Sequence, residues 1–458
     1  MTTTSPPTTA HRWRWRVLAV VLLAEVVDLL DSTVMTVAAP SVHAGLGGGA
    51  ATLQWLTAGY TLAFGVLLVV GGRLGDHWGR KRLFVLGAVG FTVASALCAA
   101  ATSPEALVAA RVAQGAFGAL MIPQGFGVLA SVFGEHERAR AFSLFGPVMG
   151  LAAIGGPIVA GGLIALDPGG LDWRLVFLVN LPIGALVVAG ALRWMPADRG
   201  DTTARIDPVG AVLVAAGSAL LVHPLIQGRE AGRPWWTFAE LAAGVVAFLA
   251  LGRRQRTSRS PILVPSLLRK RAFVTGLVVA VSFFTGAGGL TLVLSLHLQL
   301  VLGHTALGTA LALSPMAVGI VLSSIAAPRL EAGPGRSVLH LGLAVEAAGV
   351  IGLALVVSSD LPAWALSVPT LVVGLGLGLL FGTVIQSVLA VASPDEVGSA
   401  SGALNAVQQL ATALGVAVLG TLFFAGGLVP GLLVVTAMCL VSALLVALLP
   451  HHRSGVRS

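Results

Sequence analysis

Three carboxylates stand in one apolar run. Between Val17 and Ala39 the only acids are Glu25, Asp28 and Asp31. On a helix, steps of three residues place all three within an arc of about 120°. A second apolar run carries one guanidinium, Arg111, in RVAQGAFGALMIPQG. Ionised groups in a hydrocarbon setting are costly, so they face a cavity or one another and mark ion and proton paths. Asp31 lies about eight residues from one end of its run, and Arg111 about six from the matching end of its own, so both sit roughly 9–12 Å below one surface. They can therefore pair. A carboxylate facing a guanidinium keeps its charge, and one from which the guanidinium withdraws takes up a proton. The chemistry on offer is reversible proton binding at Asp31, assisted by Asp28. The plainer alternative is a permanent ion pair that fixes helix packing, with Glu25 snorkelling to an interface.

These residues need elements that span a membrane. The 458-residue chain is 56% hydrophobic and 10% charged, with a mean hydropathy of +0.93. Soluble domains carry about 25% charged residues. The expected fold is an all-α integral membrane protein in a lipid bilayer. A span needs about 20 apolar residues, and that rule predicts spans near 16–39, 54–75, 83–102, 105–131, 140–165, 173–194, 207–227, 235–252, 272–302, 306–328, 338–358, 362–392, 399–424 and 428–449. Of the 27 Lys and Arg, only Arg111, Arg174, Arg229 and Arg233 fall off the side that holds the N-terminus, so positive-inside bias puts both termini in the cytoplasm. Net charge +8 is then topological, and no nucleic acid is expected. The nine Trp sit near span ends, as an aromatic belt requires. Cys98 and Cys439 lie far apart in apolar runs and offer neither a disulfide framework nor metal spacing. No nucleophile–base pair or phosphate loop is present, so no enzyme, metal, cofactor or ATP drive is expected.

The loop Gly72 to Leu83 reads GRLGDHWGRKRL. Asp76 falls at a helix C-terminus and Arg80, Lys81 and Arg82 at the next N-terminus, each against the local dipole, so each needs a partner from elsewhere. Gly72, Leu74, Asp76, Gly79, Arg80 and Lys81 resemble the signature loop between spans two and three of the major facilitator superfamily. RLEAGPGR, Arg329 to Arg336, repeats RLGDHWGR, Arg73 to Arg80, with Ala332 where Asp76 stands. That resemblance implies two six-helix bundles, 16–194 and 272–449, flanked by tails 1–15 and 450–458. A linker segment, 195–271, would hold two inserted central helices, giving about fourteen transmembrane helices. This arrangement resembles the fourteen-span drug:proton antiporter family.

The resemblance extends to other runs. LDSTVMTVAAP, Leu30 to Pro40, resembles that family's first-span motif with Asp31 at the acid, and the Arg111 run resembles a fourth-span motif associated with proton coupling. Gly150, Gly156, Pro157, Gly161 and Gly162 resemble the antiporters' fifth-span motif, with one residue more than usual between the proline and the glycine pair. Physically, Pro157 kinks the helix and the glycines give it a smooth face. Gly72, Asp76, Gly79 and Arg80 would form a conformational latch. Glu25, Tyr60, Gln114, Gln124, Asn405, Gln408 and Gln409 fall on spans that border the central cavity in that fold, and Phe283 and Phe284 are candidates for its apolar wall. His297 is expected at an interface, Glu346 in a packing role, and Glu240 has no assigned role. The second half offers no carboxylate expected to face the cavity, which favours monocationic, neutral or zwitterionic amphiphiles over dications.

The implied activity is proton-coupled export of small lipophilic compounds such as antibiotics, by alternating access, from a monomer in the cell membrane. The alternatives are a proton symporter importing a nutrient, against which the fifth-span motif argues, and a membrane sensor that binds without turnover.

Overall fold

The structure is a computed structural model that describes residues 11–134, 137, 140–142, 144–198, 200, 207–232, 234–258, 263–330, 335–359, 361–393 and 396–447. Ala332, the counterpart of Asp76, lies outside the described residues. Among the described residues every regular element is helical. The long helices are α1 (Arg14–Leu46), α2 (Ala50–Trp78), α3 (Arg80–Ala100), α4 (Pro104–Val132), α5 (Phe145–Leu166), α6 (Asn180–Trp194), α7 (Pro208–Glu230), α8 (Trp235–Thr257), α9 (Arg271–Leu296), α10 (Ala306–Leu330), α11 (Gly335–Ser358), α12 (Ser367–Leu389), α13 (Val397–Gly426) and α14 (Leu428–Ala447). Twelve helical segments among the described residues are long and apolar enough to cross a membrane. They exclude α1, with its three acids, and α5, which contributes the shorter apolar stretch Gly155–Leu166. Helices are the form that satisfies every backbone group within one segment when no water is at hand. Large apolar side chains point outward on most of them; on α8 these are Trp235, Phe238, Val245, Val246 and Leu249. Such a belt on a folded chain belongs in lipid.

Helix pairing repeats along the chain. In the first half α1 packs on α5 and α6, α4 on α2 and α3, and α3 on α6. Eight helices later the same set recurs, with α9 on α13 and α14, α12 on α10 and α11, and α11 on α14. The halves meet along α2–α13 and α5–α10, which exchange places under that repeat. Helices α7 and α8 pack on each other, and α7 also lies against α2 and α13.

One end of the molecule carries Arg14, Arg16, Arg80, Lys81, Arg193, Arg254 and Lys270 at helix termini and is called here the basic end. One core runs through the second half from Leu267 and Phe273 and, at the opposite, far end, unites both halves, joining Val34–Ala58 to Leu290–Leu298 and Leu419–Leu432. Toward the basic end the first half has a core of its own, built on Val17, Phe84, Phe91, Met121 and Met195. Between the halves at this end lies a cavity of about 680 Å³, lined from α2 by Gly72, Arg73 and Asp76, from α4 by Gln124 and Gly127, and from α13 by Ser399, Gly402 and Asn405. The halves are thus joined at the far end and parted at the basic end.

The first helix departs from its expected end near residue 39. It runs through Pro40 to Leu46. Proline removes the donor that would have served the carbonyl four residues back, that of Thr36, and its ring crowds the same carbonyl. The Ser295 hydroxyl on α9 donates to that carbonyl, and Gln299 Nε2 donates to Val37 O at 3.0 Å. A helix defect in one half is therefore satisfied from the other.

Short polar anchors hold the connectors at the basic end. Asp207 caps α7 through Gly210 N (3.0 Å) and receives Arg254 of α8 at 2.7 and 2.9 Å. Glu396, at the start of α13, takes Lys270 Nζ at 2.6 Å, the Ser266 hydroxyl and Ser393 N at 2.9 Å. The Lys270 and Ser266 hydrogen bonds lead in holding its carboxyl down at about 2, against an ordinary 4.5. A depressed folded-state value means that the contribution is complete above about 4.5 and is lost as pH falls toward 2. Glu396→Gln should therefore lower the unfolding temperature of the detergent-solubilised protein at pH 7, with the difference from wild type constant down to about pH 5 and closing below it; thermal melts across that range check this.

Candidate functional site

Asp31 and Arg111 meet inside the first half. The Arg111 Nη1 donates to Asp31 Oδ2, and both side chains are sealed from solvent, at 0% and 2% residue exposure. The remaining carboxylate oxygen, Oδ1, accepts from Gln114 Nε2 at 2.8 Å and from Asn180 Nδ2 at 2.7 Å. Both amides also reach the Ser95 hydroxyl, at 2.7 and 3.2 Å. Arg111 Nη1 donates in addition to Gln114 Oε1 at 2.7 Å, and Nε donates to Leu56 O at 3.2 Å. Five helices converge here: α1 gives the acid, α4 the arginine and glutamine, α2 a carbonyl, α3 the serine and α6 the asparagine. The three groups that meet the carboxylate are all donors, which fits an ionised acid. A buried charge persists only when it is paired and hydrogen-bonded in this way.

The guanidinium keeps an option open. Its Nη2 has no hydrogen-bond partner among the described residues. Its carbon lies 4.4 Å from the Tyr60 ring centroid and 5.8 Å from that of Phe177, so two aromatic faces back the cation. Tyr60 in turn donates its hydroxyl to Asp28 Oδ1 at 2.5 Å. The second carboxylate is thereby linked to the first through the ring on which the arginine rests. Glu25 Oε1, one turn nearer the basic end, is buried without a hydrogen-bond partner among the described residues. The arrangement can hold a charge, and it can release it if the arginine slides along Tyr60.

The loop residues form a second group. Asp76 pairs with Arg80 one turn away at 2.8 Å, and Arg80 Nη1 also donates to Gly127 O at 2.8 Å. The N-terminus of α3 is capped by Asp198, which accepts from Arg80 N at 2.6 Å and Lys81 N at 3.1 Å. Lys81 Nζ binds the carbonyls of Leu192 and Met195 at 3.0 and 2.7 Å, at the C-terminal end of α6. Gly79 joins the two helices at φ +96°, a conformation L side chains rarely adopt. Of the charges that the sequence set against their dipoles, Asp76, Arg80 and Lys81 thus acquire partners. Asp76 and Gly72 also face the 680 Å³ cavity.

The fifth-helix glycines lie at crossings. Gly156 faces Thr33 and Leu30 of α1, and a Cβ on Gly161 would sit 2.7 Å from Leu307 Cα at the start of α10. Pro157 lies inside the helix. Gly162 has open space beside it, and the surroundings of Gly150 lie outside the description. The smooth face therefore touches both the acid-bearing helix and the opposite half.

The other expected residues scatter. Gln124 and Asn405 line the cavity, and the Gln124 amide is tied to Gly71 O at 2.7 Å. Gln408 is partly buried on α13, and Gln409 packs its Cβ against Gly65 on α2. Phe283 and Phe284 are not on the wall of this cavity. They stack edge-to-face at 4.9 Å inside the second half, with Phe283 bordering a small niche beside the buried Glu346. An apolar residue at a helical period does not declare which neighbour it faces. His297 is buried at the far end of α9, and Glu240 pairs with His223 at 2.8 Å. Sequence reasoning missed Ser95, Asn180 and Asp198. Asn180 carried a signal, since it and Asn405 are the only asparagines in the chain and it sits within an apolar run. A serine in a Gly- and Ala-rich helix and an aspartate in a loop carried none.

The model of the Major Facilitator Superfamily matches residues 21–416. The chain belongs to that superfamily. It is 49% identical over 431 residues to the "Probable actinorhodin transporter" of Streptomyces coelicolor, covering 92% of this chain and 74% of that one. It is 34% identical over 414 residues to the puromycin resistance protein pur8 of Streptomyces alboniger, covering 89% and 81%. Among solved structures, the xylose transporter XylE from E. coli superposes with a TM-score of 0.65 at 14% identity, over 96% of this chain and 98% of that one. At that identity the likeness shows the fold alone. It is a multi-pass membrane fold, as the apolar helices require.

The two asparagines give a direct test of the network. Asn180→Leu strips a donor from Asp31 and should cost about 1–3 kcal/mol of stability. Asn405→Leu, at the exposed cavity wall, should change it by less than about 0.5 kcal/mol. Equilibrium unfolding of both variants in one detergent checks the contrast.

Proposed function

We propose that this superfamily member is a proton-coupled antiporter that exports small lipophilic compounds, such as antibiotics, from the cytoplasm. The observation that carries the reading is the Asp31 carboxylate, locked by Arg111, Gln114 and Asn180, in a chain whose halves part at only one end. The printed names of the relatives, an actinorhodin transporter and a puromycin resistance protein, favour export of such cargo. We place fourteen spans in the membrane, α1 to α14, with α7 and α8 inserted between two six-helix bundles. The excess of Lys and Arg at the basic end sets that end, with both chain termini, in the cytoplasm. The cavity then faces the cytoplasm, and the protein is inward-facing.

In the cycle we propose, the carrier returns inward-facing with Asp31 protonated; as cargo enters this cavity that proton leaves to the cytoplasm, and Arg111 holds the ionised carboxylate. The halves rock about the glycine face of α5, where Gly156 and Gly161 let helices pass without side-chain interlock. The far end opens, the guanidinium shifts on Tyr60 and frees a carboxylate oxygen, and a proton from outside loads Asp31, with Asp28 as relay through the Tyr60 hydroxyl. Cargo leaves, and the loaded carrier returns. In the outward-facing state Asp76 would swing from Arg80 toward the first turn of α13, which forms the opposite wall of the same cavity at Ser399 and Gly402. A helix N-terminus attracts a carboxylate, so this pairing would latch the cytoplasmic side shut.

Cells expressing the wild type should survive a panel of antibiotics better than cells expressing Asp31→Asn at equal membrane abundance; equal protection would contradict the role of Asp31. In inverted vesicles, an interior made acidic should drive uptake of the protected compound, whereas uptake that needs an alkaline interior would mark a symporter. Asp76→Asn should slow turnover at normal insertion, and unchanged turnover would remove the latch.

A further inference from the structure

Helix α7 ends in two oppositely charged residues, and each caps a helix of a different half. The Glu230 carboxylate accepts from Ala51 N at 2.8 Å, at the first turn of α2. The N-cap of α2 is Gly49, which has no side chain to offer, and Glu230 fills the space a Cβ there would need. Its neighbour Arg229 donates through Nη2 to Phe424 O, two residues before the end of α13. An acid at a helix N-terminus and a base at a helix C-terminus are both favourable to the dipole and to the unpaired backbone groups. One turn earlier, Leu225 O accepts from the Thr421 hydroxyl of α13 at 2.6 Å. Helices α2 and α13 are the pair that joins the halves on this side, and the caps bind them at the far end, where the cores are fused.

We infer that the Arg229–Glu230 pair is a clasp that holds the far end of the transporter closed, and that α7 carries it for this purpose. The inference rests on the export reading only for the membrane side it assigns, the outer one. For the far end to open, α2 and α13 must separate, and α7 can follow one of them but not both. At least one cap must break. The broken cap leaves free N–H groups at α2 or free carbonyls at α13, which external water can hydrate once the end is open. The clasp therefore biases the equilibrium toward the inward-facing form without making the outward-facing form inaccessible. Arg229 and Glu230 are positioning residues here and touch neither cargo nor proton.

The test reads the conformational equilibrium rather than transport. Ala306 lies in the far-end seam beside Gly161, buried against the opposite half. Ala306→Cys in a Cys98→Ser, Cys439→Ser background places a reporter that a membrane-impermeant maleimide reaches only when the far end opens. Glu230→Gln and Arg229→Gln should each raise the labelling rate in intact cells about five-fold, the effect of one helix-terminal charge, and the exchange Arg229→Glu with Glu230→Arg should raise it further. Equal rates in wild type and both single variants would overturn the clasp, with size-exclusion profiles confirming that all are folded. If the reporter is labelled in inverted vesicles and not in cells, the assignment of sides fails, while the ratio of rates between variants still decides the clasp.

Discussion

A single buried carboxylate sets the terms for the first half of this protein. Asp31 is out of reach of water, and an uncompensated charge there would cost about 3–5 kcal/mol, as judged from broken buried pairs in general. Compensation comes from three other helices at once, through the guanidinium and one amide of α4, the amide of α6 and the α3 serine that orients both amides. The register of α1, α3, α4 and α6 is fixed by that need. So is the identity of residues in otherwise interchangeable apolar runs, where Gln114 and Asn180 would be expensive without the acid to bind. Satisfied this completely, the site is a stable holder of charge, and any step that withdraws the arginine makes a proton the cheapest replacement.

The seam between the halves has a different character. Beside the apolar core shared at the far end, its polar contacts there are hydrogen bonds from side chains to backbone carbonyls, Ser295 to Thr36 and Gln299 to Val37, with Arg229 of α7 to Phe424 alongside and close glycine packing of α5 on α10. Each such bond is worth about 0.5–1.5 kcal/mol net, and each leaves groups that water can serve after separation. An apolar core edged by several weak, hydratable contacts makes a seal whose polar part can open reversibly, which a rocking carrier requires. The network around Asp31 and the seam are connected through α1: the helix that bears the acid also offers the Thr36 carbonyl freed by Pro40. Movement of α1 at the seam therefore reaches the carboxylate along one rigid element.

The helical, membrane-spanning architecture was legible from the apolar runs because composition and length alone decide it, and the pairing of Asp31 with Arg111 followed from depth. The end of α1 was not, since run length marks a span and not where its helix stops, and Ser295, 259 residues later in the chain, supplies the donor that carries the helix through Pro40. Phe283 and Phe284 were placed on a cavity wall by chemistry alone, but a helix buried on several sides leaves the direction of an aromatic undecided. Asp198 could not be foreseen as the cap of α3 because its partners lie 118 and 117 residues away. What sequence spacing reveals is which groups need partners; which partners they take is a tertiary outcome.

The central claim is that Asp31 gives up a proton as cargo binds. Purified protein in weakly buffered detergent solution, mixed with a compound to which the wild type confers resistance, measures this directly through a pH dye. The account predicts proton release on binding by the wild type and none by Asp31→Asn at equal cargo occupancy. Equal proton release by the two proteins would contradict it.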